Sequence, residues 1–368
     1  MSILLVILVL SFLVIIHEMG HLLVARWAKV KVEEFGIGYP PKVKELFRWR
    51  GIPFTLNWIP FGGFVRLKGE DAVVGAVVAK GDYRAASRYQ RMMIIVAGVT
   101  INFLFGVAVF STIFTFTGIP TPLNQARVSS VQEGSPAMQA EFPANVTILA
   151  IEAGGEVVQT PAVSDVQKVI LQHRGETISL RTTGICEEFS CDQSEQAYSV
   201  YVRTTEETPD GQGAVGVVFQ DVIFAKYPAW QMPFRGALYG TIQAVSMGRE
   251  ILFALGSLVQ QLVFSGQVPP DLVGPIGIAA QAQQLELANQ GWLNSVVFAA
   301  MISINLAIMN ILPIPPLDGG HLLFILLEPV VKKKRLEKIE YWANYSGFIL
   351  LIGMIILISV RDVWKIFV

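Results

Sequence analysis

Four runs of the chain are long and nearly free of charge. Residues 3–25 are apolar apart from one short polar cluster, and residues 92–116, 291–317 and 341–360 carry no charged side chain. A bilayer core about 30 Å thick takes about 20 apolar helical residues, so each run predicts a transmembrane helix. A fifth stretch, 230–265, is broken by Arg235, Arg249, Glu250, Gln260 and Gln261. It reads as an amphipathic helix lying in the interface, with a true span as the competing reading. Between the second and third runs, short β-branched stretches punctuated by Gly, Pro and Asn predict a small α+β domain. In the loop 31–69, alternating apolar residues on either side of Arg50 and Gly51 predict a β-hairpin. A hairpin this apolar is expected to dip into the membrane beside protein, where its backbone groups find partners.

The pattern describes a polytopic α-helical membrane protein with four transmembrane helices, a membrane-reentrant β-hairpin, an inserted extracytoplasmic α+β domain and an amphipathic interfacial helix. The boundaries are a first helix at 1–26, a loop with the hairpin at 27–91 and a second helix at 92–119. The inserted domain follows at 120–222 and a membrane-associated segment at 223–290. A third helix occupies 291–328, and a basic loop with the fourth helix occupies 329–368. Nothing basic precedes the first run and no small-residue cleavage site follows it, so it is expected to be a retained span rather than a signal peptide.

Composition agrees with this. Of 368 residues 52% are hydrophobic and 15% charged, against about 25% charged in a soluble domain, and mean hydropathy is +0.51. A net charge of −1 offers no field for nucleic acid. The charge is distributed unevenly: 13 basic residues lie from Arg26 to Arg91, whereas Pro120 to Pro228 holds 6 basic and 14 acidic residues. The excess of Lys and Arg places the first loop inside and the insert outside, and Lys332 to Arg335 with Lys338 place the last loop inside. Both termini then lie outside. The expected location is a bacterial inner membrane, with the lipid bilayer as a standing partner.

Within the insert, 126–182 reads as strand, short helix, strands, helix, strand. The run Gly134, Ser135, Pro136, Ala137 resembles a bacterial PDZ domain, which implies a peptide ligand; the plainer reading is a spacer or size filter. Cys186 and Cys191, the only cysteines, lack the second pair a zinc site would need. In an oxidising compartment they are expected to form a disulfide closing a hairpin tip, with free thiols as the alternative.

The chemistry is concentrated at His17, Glu18, Met19, Gly20 and His21. On a helix, residues i and i+4 share a face, so both imidazoles can reach one zinc ion while Glu18 points at its water. Zinc lowers the pKa of that water from 15.7 towards about 7, and the carboxylate takes its proton. Ionisable groups inside a spanning helix cost about 2.5–3.5 kcal/mol each and mark function. A buried polar cluster that only packs helices would explain one histidine, not three ionisable residues within five positions. Two histidines leave a tetrahedral zinc one protein ligand short. His173 lies in the insert, out of reach. The third run ends at 310–321 in NILPIPPLDGGH, where prolines break the helix and two glycines let the backbone turn closely around Asp318. Asp318 and His321 are the candidates.

HEMGH in a first span with NILPIPPLDGG at the end of a later one resembles the site-2 protease family of intramembrane zinc metalloproteases. The single PDZ-like insert resembles those bacterial members that cleave anti-sigma factors and remnant signal peptides. The resemblance implies one Zn2+ per chain held by His17, His21 and Asp318, Glu18 as general base, and Asn310 on the substrate or the oxyanion. It implies as partners single-pass membrane proteins, cut within their transmembrane segments after local unwinding. GIGYPPKV and FGGFVRLKG resemble the family's reentrant hairpin, which can pair with an unwound substrate strand. AGVTINF resembles a family pattern with Val99 where proline is usual, and makes Asn102 a packing or substrate-contact residue. VGPIGIA at 273–279 resembles an element preceding the third span. The alternative function is a membrane-anchored PDZ scaffold with a non-catalytic metal site.

Overall fold

The computed structural model describes residues 2–70, 79–160, 162–187, 190–209, 212–220, 222–265 and 292–367. The chain forms two compact units: residues 1–115 together with 233–368, and residues 116–232.

The larger unit begins with α1 (Ser2–Trp27), 26 residues and about 39 Å long, more than a bilayer core requires. Strands β1 (Val32–Trp49) and β2 (Ile52–Leu67) follow as the expected hairpin. They turn through Arg50 and Gly51, both with positive φ, the conformation a two-residue hairpin loop needs. The pairing is more folded than a simple hairpin. Phe35, Gly36 and Ile37 pair with Val65, Phe64 and Gly63 on one side and with Phe54, Thr55 and Leu56 on the other. Two strands thus make a sheet four rungs wide, whose 63–67 segment lies at an edge. Phe35, Ile52 and Phe54 bury one face of it against Leu22 of α1.

Helix α2 (Arg88–Thr117) returns against α1. The helices meet where side chains are smallest: a Cβ on Gly20 would fall 2.6 Å from the Ala97 carbonyl oxygen. Such small-residue contacts are how helices associate where lipid offers no hydrophobic drive.

The second unit holds β3 (Ile119–Pro122), β4 (Ala126–Val131), α3 (Pro136–Gln139), β5 (Val146–Ala153), β6 (Glu156–Gln159) and α4 (Val163–Gln172). It continues with β7 (Thr177–Thr182), β8 (Cys186–Glu187), β9 (Ser190–Cys191), β10 (Gln196–Tyr201), β11 (Val217–Phe219) and β12 (Val222–Ala225). The main sheet runs β10-β7-β5-β4-β11, with β6 beside β5. Ser135 caps α3 by accepting from the Met138 N–H, with Pro136 in the first turn. Val166, Val169 and Ile170 of α4 close the core over Ile148, Ile151, Ile178 and Leu180. The order strand, short helix, strands, helix, strand is the one its sequence pattern implies. Cys186 faces Cys191 across the β8–β9 ladder, and Cys186 is disulfide-bonded.

The chain then re-enters the first unit as α5 (Met232–Ser265), one uninterrupted helix. Both readings of 230–265 require a helix here, and Met232–Gln261 is long and apolar enough to cross a membrane. Among its exposed charges, Glu250 accepts from Ser246 and Arg249 lies over the Phe253 ring. Its glycines let it lie on α2, since a Cβ on Gly236 or Gly240 would strike Thr115 or Ser111. VGPIGIA and the rest of 266–291 lie outside the described residues.

Helix α6 (Trp292–Ile311) runs in the same direction as α1, with Phe298 against Val6 near their starts. After the proline-rich turn come α7 (Asp318–Leu327) and α8 (Lys333–Phe367), the latter containing the expected span 341–360. Among the described residues four helices are long and apolar enough to cross, namely α1, α2, α5 and α6. Three of the four expected spans are in that set, and the fourth, 341–360, lies within α8. The protein is a polytopic membrane protein.

Candidate metal centre

Three ionisable side chains from distant parts of the sequence meet inside the helical unit. His17 and His21 project from one face of α1, and Asp318 from the first residue of α7. His17 Nε2 lies 3.0 Å from His21 Nε2 and 2.9 Å from Asp318 Oδ2, and His21 Nε2 lies 3.4 Å from the same oxygen. His17 is buried, and the other two are mostly shielded. The loop geometry explains how Asp318 arrives. A Cβ on Gly319 would lie 2.2 Å from the carbonyl oxygens of Ile311 and Leu312, so only glycine lets α7 begin directly under the end of α6.

This donor set fits a tetrahedral zinc ion. With Zn–N of about 2.0–2.1 Å, two ligand atoms at the tetrahedral angle are about 3.3 Å apart, close to all three separations here. The imidazole proton is accounted for at His21, whose Nδ1 donates to the Ile94 carbonyl at 2.7 Å and leaves Nε2 as a lone pair facing the others. Space is reserved as well. A Cβ on Gly98 would lie 2.4 Å from His21 Nε2 and 2.7 Å from His17 Nε2, so α2 passes behind the cluster with the one residue that leaves its centre clear.

Glu18 stands beside the cluster and is fixed by the sheet: its Oε2 accepts from the backbone N–H of Val65 at 3.0 Å. Glu18, His21 and Asp318 share the wall of a cavity of about 1070 Å³. That wall continues over Val65 and Tyr39 to a charged rim that includes Arg84, Arg91, Glu328 and Glu340. At the rim, Arg91 binds Glu328 through two parallel bonds of 2.6 and 2.7 Å.

The other candidates fall elsewhere. His321 turns away to Glu340 of α8 at 3.2 Å, and His173 pairs with Glu176 in the second unit. Asn310 is half-buried near the end of α6 and is not among the residues that line the cavity. Three contributors went unrecognised in the sequence: Gly98, the Val65 N–H, and the contact of Asn102 with His17. For Asn102 a signal existed, a lone amide inside an otherwise uncharged span and one turn from Gly98.

The sequence matches peptidase family M50 over residues 5–354. The chain belongs to that family. A provisionally named zinc metalloprotease of Rickettsia conorii is 29% identical over 375 residues, 98% of each chain. One from Fusobacterium nucleatum is 27% identical over 389 residues, covering both chains fully. Zinc metalloprotease RasP of Geobacillus kaustophilus is 27% identical over 455 residues, all of this chain and 98% of its own. The M50 chain is thus a zinc-dependent metalloendopeptidase of the site-2 protease type, embedded in a membrane.

Proposed function

We propose that this M50 peptidase cleaves transmembrane segments of single-pass membrane proteins, anti-sigma factors or remnant signal peptides among them, with His17, His21 and Asp318 holding one zinc and Glu18 as general base. The convergence of the three donors around the space that Gly98 leaves open carries this reading. Zinc, when bound, supplies a Lewis acid and an acidified water. The remaining work belongs to the chain. Glu18, aimed by the Val65 N–H, takes the proton of the attacking water and returns it to the leaving amine. The apolar helices around the cluster ration water, while the charged rim admits it. Asn310, eight residues before Asp318 in the family's pattern, is assigned to the substrate or the oxyanion.

The proposed setting is a bacterial inner membrane, with the acidic insert and both termini outside and the basic hairpin loop inside, following the distribution of Lys and Arg. In this reading the sheet β1–β2 is the reentrant element, its 63–67 edge available to an unwound substrate strand. The insert is assigned as a PDZ-like domain from its element order, with the pair Cys186 and Cys191 stapling a hairpin tip.

The deciding experiment is cleavage of a single-pass membrane peptide by the purified protein in detergent, comparing wild type, Glu18→Gln and a chelator. Loss of cleavage in both perturbed samples is expected, and a peptide bearing Gly or Pro at mid-span should be cut faster than an all-Leu one, because a helical peptide bond is shielded by its own hydrogen bonds. Cleavage that survives both perturbations would end this reading.

A further inference from the structure

Asn102 is fully buried on α2, one turn beyond Gly98. Its side chain reaches the imidazole of His17, with Nδ2 3.5 Å from Nδ1, at the outer limit of a hydrogen bond. Its Oδ1 is buried with no hydrogen-bond partner. Its backbone carbonyl accepts at 2.8 Å from Ser303 Oγ, a buried hydroxyl of α6, the helix that leads to Asp318. A residue kept only for packing in an apolar span would not carry an amide here, because an unmet buried carbonyl is costly.

The proton inventory of His17 gives the amide a task. A neutral imidazole bears one N–H, and a metal takes the other nitrogen. For Nε2 of His17 to point a lone pair at Asp318 and His21, Nδ1 must carry the proton and must face an acceptor. An amide N–H directed at Nδ1 would select the opposite tautomer. A half-turn about the Cβ–Cγ bond of Asn102 exchanges its oxygen and nitrogen, and nothing is lost on the far side, where Oδ1 has no partner. His17 then donates to Asn102 as His21 donates to the Ile94 carbonyl.

We propose that Asn102 is a positioning residue, whose Oδ1 accepts from His17 Nδ1–H and so holds the His17 Nε2 lone pair on the metal, with Ser303 anchoring the turn that carries it. The proposal rests on the zinc ligand assignment given above. Partners of this kind fix ring orientation and ligand basicity, and their loss typically lowers metal affinity about 10–100-fold.

Zinc affinity is measured by chelator competition on the full-length protein in detergent, for wild type, His17→Ala, Asn102→Leu and Asn102→Asp. In parallel, ¹⁵N shifts of the His17 ring are read in the zinc-loaded wild type. Asn102→Leu, close in size but unable to accept, should weaken zinc about 10–100-fold. Asn102→Asp, which still accepts, should stay within a few-fold of wild type, and His17 should show protonated Nδ1 and metal-bound Nε2. Wild-type affinity in His17→Ala would overturn the ligand assignment itself. Lost affinity in His17→Ala with wild-type affinity in Asn102→Leu would overturn the role of Asn102 alone. If Asn102→Leu does not fold, weak binding by folded Asn102→Asp, or an Nε2–H tautomer in the wild type, overturns it equally.

Discussion

His17 Nε2 lies 2.9 Å from the Asp318 carboxylate, although 301 residues separate the two in sequence. The contact joins the middle of α1 to the first residue of α7 and depends on the glycines that follow Asp318. Removing one of three donors should affect metal more than removing an outer partner does. Asp318→Ala should therefore lower zinc affinity by more than about a hundredfold, given that outer partners alone cost about 10–100-fold. Metal content after dialysis against a chelator series checks this. A variant that retains wild-type zinc would remove Asp318 from the ligand set.

Glu18 and the ligands should separate in their effects. Because Glu18 handles a proton and is not itself within the three-donor cluster, Glu18→Gln should keep zinc near one equivalent. Its turnover should fall by about 10²–10⁴-fold, the usual contribution of a general base. Parallel metal analysis and cleavage rates test the separation, and loss of zinc with activity would move Glu18 into the metal's own shell.

Gly98 offers a steric test. The methyl group of Gly98→Ala would lie 2.4 Å from His21 Nε2, inside any allowed contact and beside the space the donors enclose. The expected result is a protein that still folds, destabilised by about 1–3 kcal/mol through overpacking, and that binds zinc poorly. Melting curves with and without added zinc report both effects: wild type should gain stability from zinc and the variant should gain little.

The residue pattern marked the side chains that cluster in the structure more directly than it marked the boundaries of the sheet and helices. HEMGH and the Asp318 turn were legible because ionisable groups are rare at membrane depth, and the i, i+4 spacing leaves few other readings. The hairpin was legible from alternation around Arg50 and Gly51. Its second layer was not, because the double pairing of Phe35 to Ile37 depends on bulges that no local residue announces. The stretch 230–265 left two readings open for a related reason. Arg249 and Glu250, both exposed, count against a span, while the glycines that bring α5 onto α2 contribute nothing to a hydropathy sum.

The Val65 N–H should matter to turnover and not to metal. It points at Glu18 at 3.0 Å from an edge of the sheet, so Val65→Pro deletes a single donor where proline is tolerated. A hydrogen bond to a charged group is worth about 1.5–3 kcal/mol, which predicts a fall in kcat of about 10–100-fold with zinc content unchanged. Val65→Ala, which keeps the N–H, is the control and should turn over nearly as wild type does.

At the rim of the cavity, Arg91 and Glu328 form a paired, two-bond contact between the first turn of α2 and the end of α7. Because both side chains are largely shielded, the contact should be worth more than a surface ion pair, whose median is about 0–1 kcal/mol. A double-mutant cycle with Arg91→Leu and Glu328→Leu, read by thermal unfolding in detergent, should give a coupling of about 1.5–3 kcal/mol. Arg91→Lys should recover less than half of it, since an ammonium keeps the charge and loses the fork that matches the carboxylate. A coupling near zero would show that this rim is held by apolar packing alone, and Arg91→Lys would then behave as wild type.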